Sequence, residues 1–246
     1  MPDALHVATL NLRNIADRWP ERIPLLLADF AALQPDLIGL QEVVFAVQQD
    51  RILGAAGEAR YQSRRGWAGR PEYGNAVLVR EPLRADDGDR LDLGTSRSAL
   101  RVPVTLPGGR LDFVVTHLHH LVPDEAMRAQ QTAKLTSWLE DITWPLVVVG
   151  DFNAEPEEPT YRQMVDAGFT SAFATANGSE PDVTWPSGIK APGMDLDGDP
   201  GCLDYIWIRG AITVESCRLA FDRPAVHDAT LYPSDHLGLS ARLQVG

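Results

Sequence analysis

The sequence predicts an α/β domain in which two β-sheets pack face to face with helices outside. Three observations lead there. Short apolar runs of strand length recur along the whole chain, helical stretches fall between them, and no linker or low-complexity segment divides the 246 residues. The expectation is one domain over residues 1–246, long enough to bury a large core without disulfides or a structural metal.

Taken in order, residues 7–12 read as a short buried strand. Residues 23–33 read as a helix, with Pro24 suited to a first turn and Pro35 ending the run. An apolar strand at 36–40 precedes a helix at 43–53, and another strand covers 75–79. Residues 99–105 and 111–116 bracket Pro107-Gly108-Gly109, a hairpin signal. Helices are expected at 124–139 and 160–167, on either side of the apolar strand 146–149. A loop rich in Gly, Pro and Asp spans 177–201, and strands follow at 203–208, 213–219 and 237–243.

The net charge of -12 disfavours a polyanionic partner unless a local basic face overrides it. No Lys/Arg block occurs; the densest stretch, Arg60 to Arg70 with four arginines, reads as a solvated loop. Cys202 and Cys217 form neither a disulfide framework nor a zinc pattern, and read as small core residues. The N-terminus lacks a secretory pattern and no run is long enough to span a bilayer, so a cytoplasmic location is expected.

The polar residues that stand out sit at the ends of predicted strands, where a scaffold can aim them into one cleft. Asn11, Glu42, His117, Asp151 and Asn153 each follow an apolar run; Asp204 opens one, and Asp235-His236 precedes the last. Singly, each is explained as well by a turn cap or a solvated group. Together, Thr9-Leu10-Asn11, Leu40-Gln41-Glu42-Val43, Tyr73-Gly74-Asn75-Ala76, Thr116-His117-Leu118, Gly150-Asp151-Phe152-Asn153, Leu203-Asp204-Tyr205-Ile206 and Ser234-Asp235-His236 resemble the ordered signature of the endonuclease/exonuclease/phosphatase superfamily. The resemblance covers essentially the whole chain. It implies a four-layer α/β sandwich, two central and mostly antiparallel sheets flanked by helices, with a phosphoesterase site at the rim between the sheets.

The chemistry agrees with that resemblance. Hydrolysing a phosphoester needs a hard cation on a phosphate oxygen, an activated water and stabilised charge. An oxygen-rich donor set favours Mg²⁺ or Mn²⁺. Glu42, Asn11 and Asp235 are the expected metal-side residues. By resemblance, Asp151 acts on the nucleophilic water and Asn153 holds that water or a phosphate oxygen; alternation in an extended turn would point both the same way. Asp204 and His236 resemble the family's carboxylate–histidine couple, with the carboxylate favouring a protonated ring that binds phosphate. His117 matches a second family histidine that stabilises the phosphate or protonates the leaving oxygen. Asn75 and Arg97 are candidate substrate-side residues.

Three other features enter. If the strand ran on past His117, alternation would give His119 the same side, a reading that is weaker than its lying apart from the site. Asp195, Asp197 and Asp199 mimic the start of an EF-hand, but Ile206 stands where that loop needs Glu, so an acidic surface loop is expected. Trp185 either flanks the cleft or anchors its loop. The expected partner is a phosphoester in a small molecule or lipid headgroup. A nuclease acting on DNA or RNA is the alternative, and an inactive binding module a third reading.

Overall fold

The structure is a computed structural model that describes residues 4–56, 60–194 and 198–246. Its strands are β1 (Leu5–Asn11), β2 (Leu37–Val44), β3 (Tyr61–Ala68), β4 (Arg70–Arg80), β5 (Arg84–Ala85), β6 (Asp89–Gly94), β7 (Arg97–Leu106), β8 (Gly109–His117), β9 (Leu146–Asp151), β10 (Thr170–Ser171), β11 (Asp204–Arg209), β12 (Ile212–Ala220) and β13 (Gly238–Val245). The helices are α1 (Trp19–Leu33), α2 (Asp50–Ala55), α3 (Glu125–Leu139), α4 (Pro159–Asp166) and α5 (Ala172–Asn177). One sheet has the order β12-β13-β1-β2-β4-β3; the other runs β10-β11-β9-β8-β7-β5, with β6 also on β7. Within these sheets only β1–β2 and β8–β9 pair in parallel.

Three buried clusters make the four layers. Val7, Leu37, Val77, Phe113, Val149 and Ile206 interdigitate between the sheets. Leu26 and Phe30 of α1 cover Leu10, Ile38 and Leu40 on the first sheet. Leu135 of α3 and Met164 of α4 cover Val114, Val148 and Trp207 on the second. The sheets approach so closely at Gly39 that a Cβ there would lie 2.4 Å from Val149 Cγ2.

Strand alternation then decides where the polar ends point. Leu5 and Val7 face between the sheets, and Asn11 follows in the same phase. Phe113 and Val115 lead to His117, Val147 and Val149 to Asp151, and Val77 and Val79 back to Asn75. On β11, Ile206 and Ile208 set the phase of Asp204. The parallel pairings put Asn11 beside Gln41 and His117 beside Asp151 at the carboxyl ends of their strands.

Several expected elements differ. The helix expected at 43–53 is instead the end of β2, a π-helical turn at Phe45–Gln49 and the short α2. Val43 and Val44 still pair with Gly74 and Tyr73 of β4, and that pairing overrides the helical pattern. The first helix begins earlier than expected; Pro20 occupies its first turn and Pro24 lies inside it. The arginine-rich stretch is not a loop but the edge strand β3, paired with β4. Arg64 donates to the carbonyls of Ala85 and Asp86, and Arg65 lies over the Phe45 ring, so the charges hid an edge strand from a hydrophobic reading. Cys202 and Cys217 are buried free thiols. Asp195 and Asp197 lie outside the described residues. No helix among the described residues is long and apolar enough to cross a membrane.

His6, on β1, is buried with Nε2 2.7 Å from Ser240 Oγ. Burial, reinforced by Arg242 and only partly opposed by Asp36, holds its ring down from 6.5 to about 4. The unfolded chain therefore binds a proton that the folded chain refuses. The stability this neutral ring contributes is present above pH 6.5 and is lost as pH falls toward about 4, by at most about 3 kcal/mol. In urea unfolding at successive pH values across that interval, His6→Gln should flatten the acid decline. An unchanged decline would exclude His6 as its source.

Candidate active site

Asp151 is the hub. Gly150 before it has φ 146°, and a Cβ there would meet the Thr116 carbonyl oxygen at 2.0 Å, so only glycine lets β9 run past β8 at this point. The Asn11 side-chain amide donates to Asp151 Oδ2 at 2.8 Å and joins the two sheets. Asp151 Oδ2 also lies 3.4 Å from His117 Nε2 and 3.6 Å from His236 Nε2. The other oxygen, Oδ1, accepts from the Asn153 backbone N–H at 2.9 Å. His236 Nδ1 is 2.8 Å from Asp204 Oδ2, and Asp204 is fully buried opposite Asp151 in the β11–β9 pairing.

The turn after Asp151 is not extended. Asn153 has φ 49°, its N–H turns back onto Asp151, and its side-chain amide donates to the Leu118 carbonyl at 3.1 Å. The Asp side chain closes a local turn that replaces strand alternation.

Electrostatics separates the ionisable groups. Burial opposes charge on His236, but Asp204, Asp151 and Asp235 outweigh it and raise the ring to about 10, so it is an imidazolium. Burial, with the nearby Asp204 carboxylate, pushes Asp151 up from the ordinary carboxylate range against the opposing pull of His236. Burial, then Arg97, His236 and His120, keeps His117 well below its usual value and therefore neutral. Arg97 Nη1 lies 3.1 Å from His117 Nδ1. A guanidinium can only donate, so Nδ1 is the acceptor and the His117 proton sits on Nε2, facing Asp151.

Glu42 reaches the same rim by a different device. Register between β2 and β4 shifts between Leu40 and Val43, so Gln41 and Glu42 together stand opposite one residue, and Glu42 adopts φ 55°. Leu40 and Val43 both pack under the helices, whereas strict alternation would put them on opposite faces. The bulge resets the phase and frees Glu42 from the helix layer. Its carboxylate accepts from Asn14 Nδ2 at 2.7 Å and lines the cleft together with Tyr73. Asp235 is buried, with Arg13 Nε 3.6 Å and Trp185 Nε1 3.4 Å from its Oδ2.

Asn75, by contrast, spends its amide on the Ser98 carbonyl at 2.7 Å, tying β4 to β7 beneath the cleft. Arg97 lines that cleft with Glu42, Tyr73 and His117. His119 does not share the side of His117, because β8 ends at His117. Its N–H donates to Gln131 and its ring lies 2.9 Å from Asp124 at the start of α3. Residues 184–187 strap the site: Thr184 Oγ1 accepts from the Asp204 N–H, and Ser187 Oγ donates to the Ser234 carbonyl. Sequence reasoning missed Arg13 and Asn14, two and three residues beyond Asn11, and gave no role to Tyr73 and Ser234, which stand inside the motifs themselves; proximity to those motifs was the signal available.

The donor set suits a hard divalent cation in one of two places. Asp151, Asp204 and His236 offer atoms within 4.8 Å of one another, and the buried Asp204 Oδ1 accepts no hydrogen bond. A protonated His236 cannot ligate, however, and its Nδ1 is already bonded to Asp204. Glu42, a half-buried carboxylate, is an oxygen donor of the kind that fits Mg²⁺-like chemistry better.

Comparison with known proteins agrees with this fold. Human Nocturnin is 29% identical over 263 aligned positions, covering 90% of this chain. The chain spans 57% of that protein's length, little more than half. The solved human Nocturnin catalytic domain with a bound sulfate anion superposes with a TM-score of 0.79 at 25% identity, over 99% of this chain and 95% of that one. D. rerio TDP2 complexed with single-strand DNA product shares the fold, with a TM-score of 0.81 at 17% identity over 98% and 99% of the two chains. Residues 8–236 match the family described as Endonuclease/Exonuclease/phosphatase. With the two-sheet sandwich and its rim of carboxylates and histidines in place, that match, from β1 to the residues just before β13, makes this chain a member of the endonuclease/exonuclease/phosphatase family.

Proposed function

We propose that the protein is a divalent-metal-dependent phosphoesterase that hydrolyses a phosphodiester in a small molecule or lipid headgroup. The observation that carries this reading is the convergence on Asp151 Oδ2 of an amide, a neutral imidazole and an imidazolium. Asp151 has its proton affinity raised by burial, which suits it to take a proton from an attacking water near neutral pH. His236, charged and oriented by Asp204, supplies a fixed positive group for a phosphate oxygen. His117, held neutral, donates its Nε2 proton as a hydrogen bond to a second oxygen. Glu42, Asn11 and Asp235 would hold a Mg²⁺ or Mn²⁺ ion, whose chemistry is to neutralise phosphate charge as a Lewis acid. The sulfate anion held by the human Nocturnin catalytic domain is a tetrahedral oxyanion of the kind this site would take.

A nuclease is the second reading. It is favoured by the half-exposed Trp67, with the Arg90 guanidinium 3.8 Å above its ring, a surface that could stack a base. The net charge of -12 and the structural engagement of Arg64 and Arg65 weigh toward a smaller substrate.

Bis-p-nitrophenyl phosphate should be hydrolysed with Mg²⁺ or Mn²⁺ and not after chelation. Salt-sensitive plasmid nicking or oligonucleotide cleavage exceeding that turnover would instead establish the nuclease. Asp151→Asn should lower kcat on the order of 10³-fold and His236→Ala on the order of 10²-fold with unchanged thermal unfolding. Near-parental turnover in either purified variant would remove its assigned role. In metal-free protein, ring-nitrogen NMR should find His236 doubly protonated at roughly pH 8, and Asp204→Asn should bring its titration back toward the ordinary value. A neutral His236 ring in the parent at that pH would contradict the imidazolium assignment.

A further inference from the structure

Arg22 is a fully buried guanidinium with no carboxylate partner in hydrogen-bond or ion-pair range among the described residues. Its partners are six backbone carbonyls. Nε donates to Asp17 at 2.7 Å; Nη1 to Leu12 and Pro233 at 3.1 and 2.9 Å; Nη2 to Arg13, Asn14 and Ala16 at 3.2, 3.1 and 2.7 Å. The loop after β1 supplies five of them, and four of its non-glycine residues have positive φ: Arg13 53°, Asn14 34°, Asp17 45° and Arg18 59°. That backbone is strained, and its converging carbonyl oxygens repel one another. A flat cation with five N–H donors is a group that can fill such a cage.

What the cage holds in place matters for the site. The Arg13 N–H donates to Asn11 Oδ1 at 2.9 Å, which leaves the Asn11 amide protons facing Asp151. Asn14 donates to Glu42, and the Arg13 guanidinium approaches Asp235. The sixth carbonyl, from Pro233, belongs to the segment that carries Ser234, Asp235 and His236, and Ser234 Oγ donates back to the Asn11 carbonyl at 2.6 Å.

We infer that Arg22 is a positioning residue for the metal-side half of the site, clamping the loop at 12–17 to the Pro233 segment so that Asn11, Glu42 and Asp235 share one geometry. Arg22 touches neither substrate nor metal. The inference rests on the metal-side assignment made above. It explains why an arginine is needed: lysine offers three donors from one point and cannot reach carbonyls on both segments in one plane.

The test is Mn²⁺ binding by calorimetry, read beside thermal unfolding and steady-state kinetics, in the full chain. Arg22→Lys should weaken Mn²⁺ binding by about tenfold or more and lower kcat by a similar factor, with a reduced Tm. Leu135→Ala, on the face of α3 that packs against the other sheet, serves as a control of comparable Tm loss and should keep Mn²⁺ affinity within about twofold. Asn14→Ala removes no cage carbonyl but cuts the link to Glu42, along with the acceptor for the Ala16 N–H, so it should weaken Mn²⁺ binding with a smaller loss of Tm than Arg22→Lys; it tests the inference even if Arg22→Lys does not fold. Unchanged affinity in Asn14→Ala, or an Arg22→Lys loss no greater than that of Leu135→Ala, overturns the inference. A parent protein that binds no Mn²⁺ removes the metal-side assignment itself, and the inference with it.

Discussion

The hydrogen bond from Asn11 to Asp151 crosses from one sheet to the other, and the arrangement of the site follows from what it requires. It requires β1 and β9 to end at the same rim, which each does beside a parallel neighbour. It requires the sheets to lie close together, which Gly39 permits by offering no side chain to Val149. It also requires Asp151 to be out of water, and that burial raises its proton affinity and strengthens its interactions with the two histidines.

The protonation pattern is a consequence of the same burial. Two imidazoles lie within 3.6 Å of one carboxylate oxygen, yet their neighbours drive them apart. His236 has three carboxylates around it and stays charged; His117 has Arg97 at its back and stays neutral. Placing both in the same ionisation state would leave either too much positive charge in a dry pocket or none to meet a phosphate.

Much of this was legible in the sequence because it depends on period-two alternation. An apolar strand with a polar residue in phase at its end is a local pattern, and Asn11, His117, Asp151 and Asp204 all follow it. Where backbone geometry departs from regular strand, the reading failed. Asn153 turns back through a side-chain hydrogen bond, and His119 swings to α3 once β8 ends. The edge strand β3 was hidden because arginines cover it, and β2 outran its expected end because pairing with β4 outweighed a helical pattern. Arg22 was invisible for a related reason: its partners are carbonyls, which every residue carries, so no side-chain pattern announces them.

The bulge at Gln41 and Glu42 has a consequence for how this protein can vary. Most positions near a site are constrained in which residue they accept, but here the number of residues is constrained as well. Removing one residue between Leu40 and Val43 would restore unbroken pairing with β4, with Leu40 still opposite Ala76 and Val43 still opposite Gly74. Val43 would keep its place under the helix layer, but the bulge that gives Glu42 its positive φ and carries it to the rim would be gone. Substitutions can drift along this strand, whereas a single-codon deletion in the bulge would leave the core packing in register and remove either the carboxylate or the backbone turn that presents it.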